Sequence, residues 1–583
     1  MEESVESEEQ GRASTTAPER RQREARREPG TAGGAPFRER PDAPVPGSDG
    51  RGGPLDLDTS GVDPEARGRT REGHRVRRGV LEVHRPADGS LIGEVPISLQ
   101  VEVLEAVERA RSVQIHWIGL DSEQRITQLK RLTEQVGERA DEIAEVVQAE
   151  TGKPLVEAVT EVLVTLDLLK YYEEVAPRIM RRQWVKTNWL IGKSAYIYRE
   201  PFGVIGAITP WNYPLILAMD AVAAALFAGN AVVVKPSEYT PFTALKVKEL
   251  CRDAGLPDGL VEIVPGDGLT GEALVGSGVD KVVFTGSSKT GRQVMAKAAE
   301  TLTPVALELG GKDPAVVLDD ADLDRAARGV VFGAFFNAGQ TCLSTERAYV
   351  ADAIYDEFVE RVTELAGELR AGSEGEYDVG PMITSRQLTL VEEQIEDALL
   401  RGARLTTGGE RLEPGSNVFR PTVLVDVDAS MRVLWEETFG PVLPIVRVAN
   451  DEEAVRMVNV SPYGLFASVW TEDRERGERV GERLRAGGIS INDTLSHYAV
   501  PGLPMGGVGE SGFGRRRGVA GLEEMSRART VLIHRTGLGR ELWWFPYTKK
   551  GMRLVRALIQ YRQSSGLARV WAGIRGFFRR RAR

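Results

Sequence analysis

A series of short, nearly unbroken apolar runs, each followed by a helical pattern, constrains this chain more than any other feature. Gly203 to Ile208 is the first. Ala-Val-Val-Val-Lys (231–235), Gly-Leu-Val-Glu-Ile-Val (259–264), Lys-Val-Val-Phe (281–284), Val-Ala-Leu-Glu-Leu (305–309) and Pro-Ala-Val-Val-Leu (314–318) follow. A strand with one wet face alternates polar and apolar residues. Runs this continuous are buried on both faces, as in parallel sheets covered by helices. Strand and helix in repetition predict the α/β class.

Length and composition narrow the frame. At 583 residues the chain predicts two or three packed units, and its 42% hydrophobic and 27% charged residues are ordinary for a soluble globular protein. Two cysteines, Cys251 and Cys342, cannot build a disulfide framework, so a reducing cytoplasm is expected. The acidic start, Met-Glu-Glu-Ser-Val-Glu, lacks the apolar core of a secretory signal. Five scattered histidines form no ligand spacing, and no metal site is expected. The net charge of −10 includes a basic end, since residues 540–583 hold twelve Lys/Arg against one acid, Glu541. The acidic remainder speaks against nucleic acid as a partner.

Chemistry concentrates between Val305 and Leu343. Glu308 lies inside an apolar run that ends in Gly310-Gly311. A buried carboxylate has a raised pKa and can serve as a base near neutrality. Cys342 lies in the small-residue loop Asn-Ala-Gly-Gln-Thr-Cys, where a substrate can reach a thiol and a thiolate can attack it. Earlier, the run 203–208 ends at Pro210-Trp211-Asn212-Tyr213-Pro214. Open α/β sheets bind ligands at the carboxyl ends of such strands, and the Asn212 amide could donate to an oxyanion. Gly286-Ser287-Ser288-Lys289-Thr290-Gly291 is not a strict dinucleotide fingerprint. It still puts small residues and free backbone N–H groups at a helix N-terminus, where a diphosphate can sit.

Glu308-Leu309-Gly310-Gly311-Lys312, Gly339-Gln340-Thr341-Cys342 and Pro210-Trp211-Asn212 together resemble the general-base, nucleophile and oxyanion motifs of the aldehyde dehydrogenase superfamily. The resemblance runs from about Val80 to about Arg535. It implies an aldehyde dehydrogenase fold: a Rossmann-like cofactor domain, an α/β catalytic domain and a small β arm that pairs subunits into a homodimer or homotetramer. It implies NAD(P)+-dependent oxidation of an aldehyde to the acid through a thiohemiacetal and a thioester on Cys342, with Glu308 activating water. By the same resemblance Trp211, Gly268, Gly286, Ser287 and Gly291 belong to the cofactor site. Lys235 and Glu238 would hold the adenosine ribose, a carboxylate there favouring NAD over NADP, and Glu437 and Phe439 would flank the nicotinamide.

The expected domains are a disordered tail (1–75), an NAD-binding domain (76–308, with arm strands about 183–200), a catalytic domain (309–505), a return segment with an arm strand (506–539) and a basic extension (540–583). Leu567, Val570, Trp571, Ile574, Phe577 and Phe578 share one arc of a helical wheel, with arginines outside it. This pattern predicts peripheral contact with a membrane's inner face through 551–583. A medium- or long-chain aliphatic or aromatic aldehyde is the expected small-molecule substrate. Succinate semialdehyde is the alternative, and a silent membrane-associated scaffold is the reading from another class. Asp220 stands eight residues after Asn212, where typical bacterial succinate-semialdehyde enzymes carry an arginine. If it faces the pocket, it would repel that substrate.

Overall fold

Two parallel-stranded sheets follow one another along the chain, and the site lies where they meet. The computed structural model describes residues 76–563 apart from Arg78, Trp189, Ile191, Gly537, Leu538 and Leu542. The expected tail 1–75 and the wheel pattern at 567–578 lie outside the described residues.

The first sheet has six strands in the order Gly512–Phe513, Val305–Leu309, Lys281–Gly286, Val204–Ile208, Ala231–Lys235, Val261–Ile263. All its pairings are parallel except that of the edge strand Gly512–Phe513, which returns late in the chain to lie antiparallel to Val305–Leu309. Val232, Val233 and Val234 are fully buried, as their unbroken run predicts. Each contributes about 2 kcal/mol by leaving water. Helix Pro214–Phe227 is buried at every position, so its composition is apolar all round and not striped.

The second sheet has seven strands in the order Arg404–Thr407, Thr422–Val425, Val442–Val448, Arg347–Ala351, Pro314–Val317, Phe466–Trp470, Gly488–Ile491. Only the first pair is antiparallel. The crossing from one sheet to the other occupies Gly310 to Asp313, between Leu309 and Pro314. A Cβ at Gly310 would come within 2.2 Å of a Glu437 carboxylate oxygen, so a side chain here would displace the Glu437 carboxylate from the crossing.

Two smaller sheets complete the described architecture. Val80–His84 and Leu91–Pro96 form the hairpin that Asp88-Gly89 predicts, with Gly89 at φ +71°. Gln183–Val185, Lys193–Pro201 and Ser526–His534 form an antiparallel arm. Trp184, Val185 and Leu532 on it are exposed. Among the described residues no helix is long and apolar enough to cross a membrane.

Candidate active site

Cys342, Asn212 and Glu308, which lie far apart in sequence, line one cavity of about 330 Å³. Each is delivered by a different local device. Glu308 sits on the buried strand Val305–Leu309, between Lys281–Gly286 and the return strand, opposite Thr285 and Gly512. Asn212 follows the strand Val204–Ile208 and precedes the helix that Pro214 opens. Cys342 follows helix Leu323–Phe335 and a tight turn in which Asn337, Ala338 and Gly339 all have positive φ, at 53°, 56° and 70°. Two non-glycine residues in the left-handed region store strain that the surroundings must hold.

The holding groups are a buried network that sequence reasoning missed. Asn212 donates through its amide to the Gln340 carbonyl at 3.0 Å, fixing it beside the cysteine loop. Asn337 donates to the Asn212 and Gln340 carbonyls, both at 3.1 Å, and its own N–H donates to Glu157 at 3.2 Å. Lys153 donates to the Asn212 carbonyl at 2.9 Å and pairs with Glu161 at 3.0 Å. Glu161 in turn accepts from the N–H groups of Leu215 and Ile216, which the helix N-terminus leaves unpaired. The one available signal was lysine scarcity: with 14 lysines among 75 basic residues, Lys153 in Gly-Lys-Pro is an unusual choice.

Electrostatics separate the two reactive groups. Burial pushes the Glu308 carboxyl up to about 7, against the pull of the Arg516 guanidinium. One Glu308 oxygen has a single 3.4 Å contact to the Thr285 hydroxyl, and the other has no partner. Half-buried Cys342 is pushed up by desolvation, then by the nearby Glu308, Asp313 and Glu437 carboxyls. With three carboxyls raising it, this thiol needs a base to take its proton. Cys251, on helix Pro241–Asp253, is a buried core thiol.

The expected cofactor residues divide into two groups. Trp211, Gly286, Ser287, Glu437 and Phe439 line the same cavity as the cysteine. Trp211 and Phe439 meet edge to face at 5.5 Å. Ser287 caps helix Ser288–Ala299, whose first N–H groups are oriented for an anion. Glu437 accepts from Gly311 N–H at 3.0 Å, while Lys312 pairs with Glu346 at 2.7 Å and Glu346 accepts from Thr438 and Phe439 N–H at 2.9 Å each. Lys235, Glu238, Gly268 and Gly291 lie outside that lining. Lys235 and Glu238 form a pair at 3.2 Å at the carboxyl end of Ala231–Lys235. Gly291 is a packing position, since a Cβ there would meet Leu309 at 2.5 Å. Gly268 is exposed, and Gly271, one turn on, is the glycine that approaches Lys235. Asp220 is also absent from the cavity lining: it pairs with Arg516 at 2.7 Å, with both side chains buried. The repulsion of a substrate carboxylate expected from Asp220 therefore does not arise.

Residues 74–531 match the aldehyde dehydrogenase family. The chain belongs to that family. This aldehyde dehydrogenase is 40% identical over 479 residues to the 4,4'-diapolycopene aldehyde oxidase of Methylomonas sp, covering 82% of this chain and 90% of that protein. It is 37% identical over 457 residues to the NADP(+) succinate-semialdehyde dehydrogenase of Escherichia coli (strain K12), covering 78% and 94%. The crystal structure of succinate-semialdehyde dehydrogenase from Burkholderia pseudomallei is similar with a TM-score of 0.76 at 37% identity, over 78% of this chain and 94% of that one. The relatives thus weigh toward the semialdehyde alternative over the medium- or long-chain reading. The chain is an NAD(P)+-dependent aldehyde dehydrogenase.

Proposed function

We propose that this enzyme oxidises its aldehyde at Cys342, with Asn212 and Glu308 as partners; their placement on one cavity carries the reading. Glu308 takes the thiol proton, and the thiolate attacks the carbonyl carbon. The second Asn212 amide hydrogen and the Cys342 backbone N–H face the developing oxyanion. Trp211, Ser287, Glu437 and Phe439 hold NAD(P)+ along the cavity, and Lys235 and Glu238 bind its adenosine ribose. When bound, that cofactor supplies the hydride acceptor that makes the thioester oxidation level accessible. Glu308, ionised again, then takes a proton from water, which attacks the thioester and frees the acid and Cys342. Cys342→Ala tests the assignment: turnover should vanish while cofactor binding persists, and full activity would refute it.

For the substrate, the names of the relatives make a short semialdehyde of the succinate type the first candidate. One observation favours a second: Leu217, Leu465, Tyr498 and Met505 line the cavity with Cys342, and no lysine or arginine does so among the described residues. That wall suits an apolar chain, as in an aliphatic or polyene aldehyde. A kinetic panel of succinate semialdehyde, hexanal and benzaldehyde decides, since the preferred class must win in kcat/KM.

The arm is the proposed subunit contact of a homodimer or homotetramer. The C-terminal extension is proposed to dock on an anionic lipid surface. Trp544, Phe545 and Tyr547 are exposed, and on helix Lys549–Gln563 the exposed Met552, Val555 and Ile559 share a face. Lys549, Arg553 and Arg556 flank that face, and residues 542–583 contain no acid. Apolar side chains beside uncompensated cations fit a lipid headgroup layer, with about 1 kcal/mol per basic residue. The full chain should sediment with vesicles containing phosphatidylglycerol and be released by salt. Failure to bind them, or a face covered instead by a second copy of the chain, would overturn this.

A further inference from the structure

One buried ion pair takes no part in the chemistry described so far. Asp220 lies on helix Pro214–Phe227, which starts two residues after Asn212. Its carboxylate meets Arg516 at 2.7 Å, and the two side chains are 1% and 2% exposed. Arg516 also donates to the Leu217 carbonyl at 3.5 Å. Its backbone exchanges two hydrogen bonds of 2.8 Å with Met505. Leu217 and Met505 both belong to the cavity wall. Gly512, four residues before Arg516, is the strand partner of Glu308. The pair therefore ties the helix behind the oxyanion amide to the segment that runs beside the base.

Such a pair is a poor source of stability, because desolvation of two charges cancels most of their attraction. Its placement calls for another role. The groups that act on Glu308 are Thr285 from the neighbouring strand, Asp220 from the helix, Arg516 and Arg517 from the segment after the return strand, and Cys342 and Tyr498 across the cavity. Arg517 packs over the Tyr498 ring at 4.1 Å. Arg516 alone would favour the ionised carboxylate, and Asp220 alone would oppose it.

We propose that Asp220 and Arg516 are positioning residues for Glu308, a neutral buried pair that sets one charge of each sign against the base. The proposal rests on the reading of Glu308 as the base. Its consequence is a sign rule. Neutralising either partner leaves the other unopposed, so the two single variants must act on Glu308 in opposite directions. Neutralising both must return it toward the parent.

The test uses the full-length enzyme, with steady-state kcat measured against pH at saturating cofactor and aldehyde. Cofactor binding reports whether each variant is folded. Asp220→Asn should move the acid limb of the profile down by about one pH unit, Arg516→Met should move it up by a similar amount, and the double variant should restore it. Should Arg516→Met not fold, Arg516→Lys keeps the charge and is expected to hold the parent limb beside the shifted Asp220→Asn. Limbs that stay put, or that move the same way in both single variants, overturn the proposal if Glu308→Gln still loses steady-state turnover. A Glu308→Gln enzyme with parent turnover would instead defeat the reading of Glu308 as base, and the pair with it.

Discussion

Glu150 and Glu308 are both carboxyls that burial pushes up to about 7, and they do different things. Glu150, at the end of helix Ala140–Thr151, accepts from Phe242 N–H at 2.6 Å, Thr243 N–H at 2.8 Å and the Thr243 hydroxyl at 2.5 Å. It fastens the start of helix Pro241–Asp253. Glu308 has one long contact and a bare oxygen beside a cavity. A raised pKa measures burial. Reactivity needs, in addition, an oxygen with nothing to do and a space for water next to it.

The comparison can be broken in order of effect. Cys342→Ala should lower turnover by a factor on the order of 10⁴ or more, because it removes the nucleophile itself. If it does not, Glu308 borders the wrong cavity. Glu308→Gln should cost about 10² to 10⁴ in steady-state rate and slow the first turnover as well, since thiol activation and the water step both lose their base. An equal loss in Glu150→Gln would erase the distinction. Asn212→Ala should cost about 10² to 10³ in kcat, the range for one oxyanion donor.

The expected pH effects sharpen the contrast further. Activity should rise with an acid limb near 7 as Glu308 ionises. Stability should run the other way. Both carboxyls bind a proton more tightly in the folded chain than an ordinary glutamate does at 4.5, so their contribution is complete below that pH and is lost as pH rises through about 7. Glu150→Gln should remove its share of that slope in denaturant titrations across the window. It should also cost about 1–3 kcal/mol at low pH by leaving donors unpaired, with kcat unchanged. Smallest of all, Cys251→Ala should leave kinetics at parent values, as its thiol is pushed up to about 12 by burial and lies outside the cavity of Cys342.

Much of the fold was legible because local patterns carried it. The apolar runs at 204–208, 231–235 and 305–309 became buried parallel strands, and Asp88-Gly89 became a hairpin turn. Glu308, Cys342 and Asn212, which the motifs singled out, line one cavity. That the return segment would lay Gly512–Phe513 along the edge of the first sheet was not legible, for two residues hold no periodicity. Gly268 and Gly291 illustrate the same limit, since a glycine's purpose depends on what its missing Cβ would have struck.

By itself the sequence determined which residue types could do chemistry here and which segments had to be buried, because side-chain composition and spacing are local properties. Only the tertiary structure decided that Asp220 turns away from the cavity to meet Arg516, and that Lys153, Glu161 and Asn337 brace the Asn212 loop. These are contacts between segments up to 296 positions apart, from Asp220 to Arg516. A charge buried at such a distance finds its partner only when the chain has closed around both.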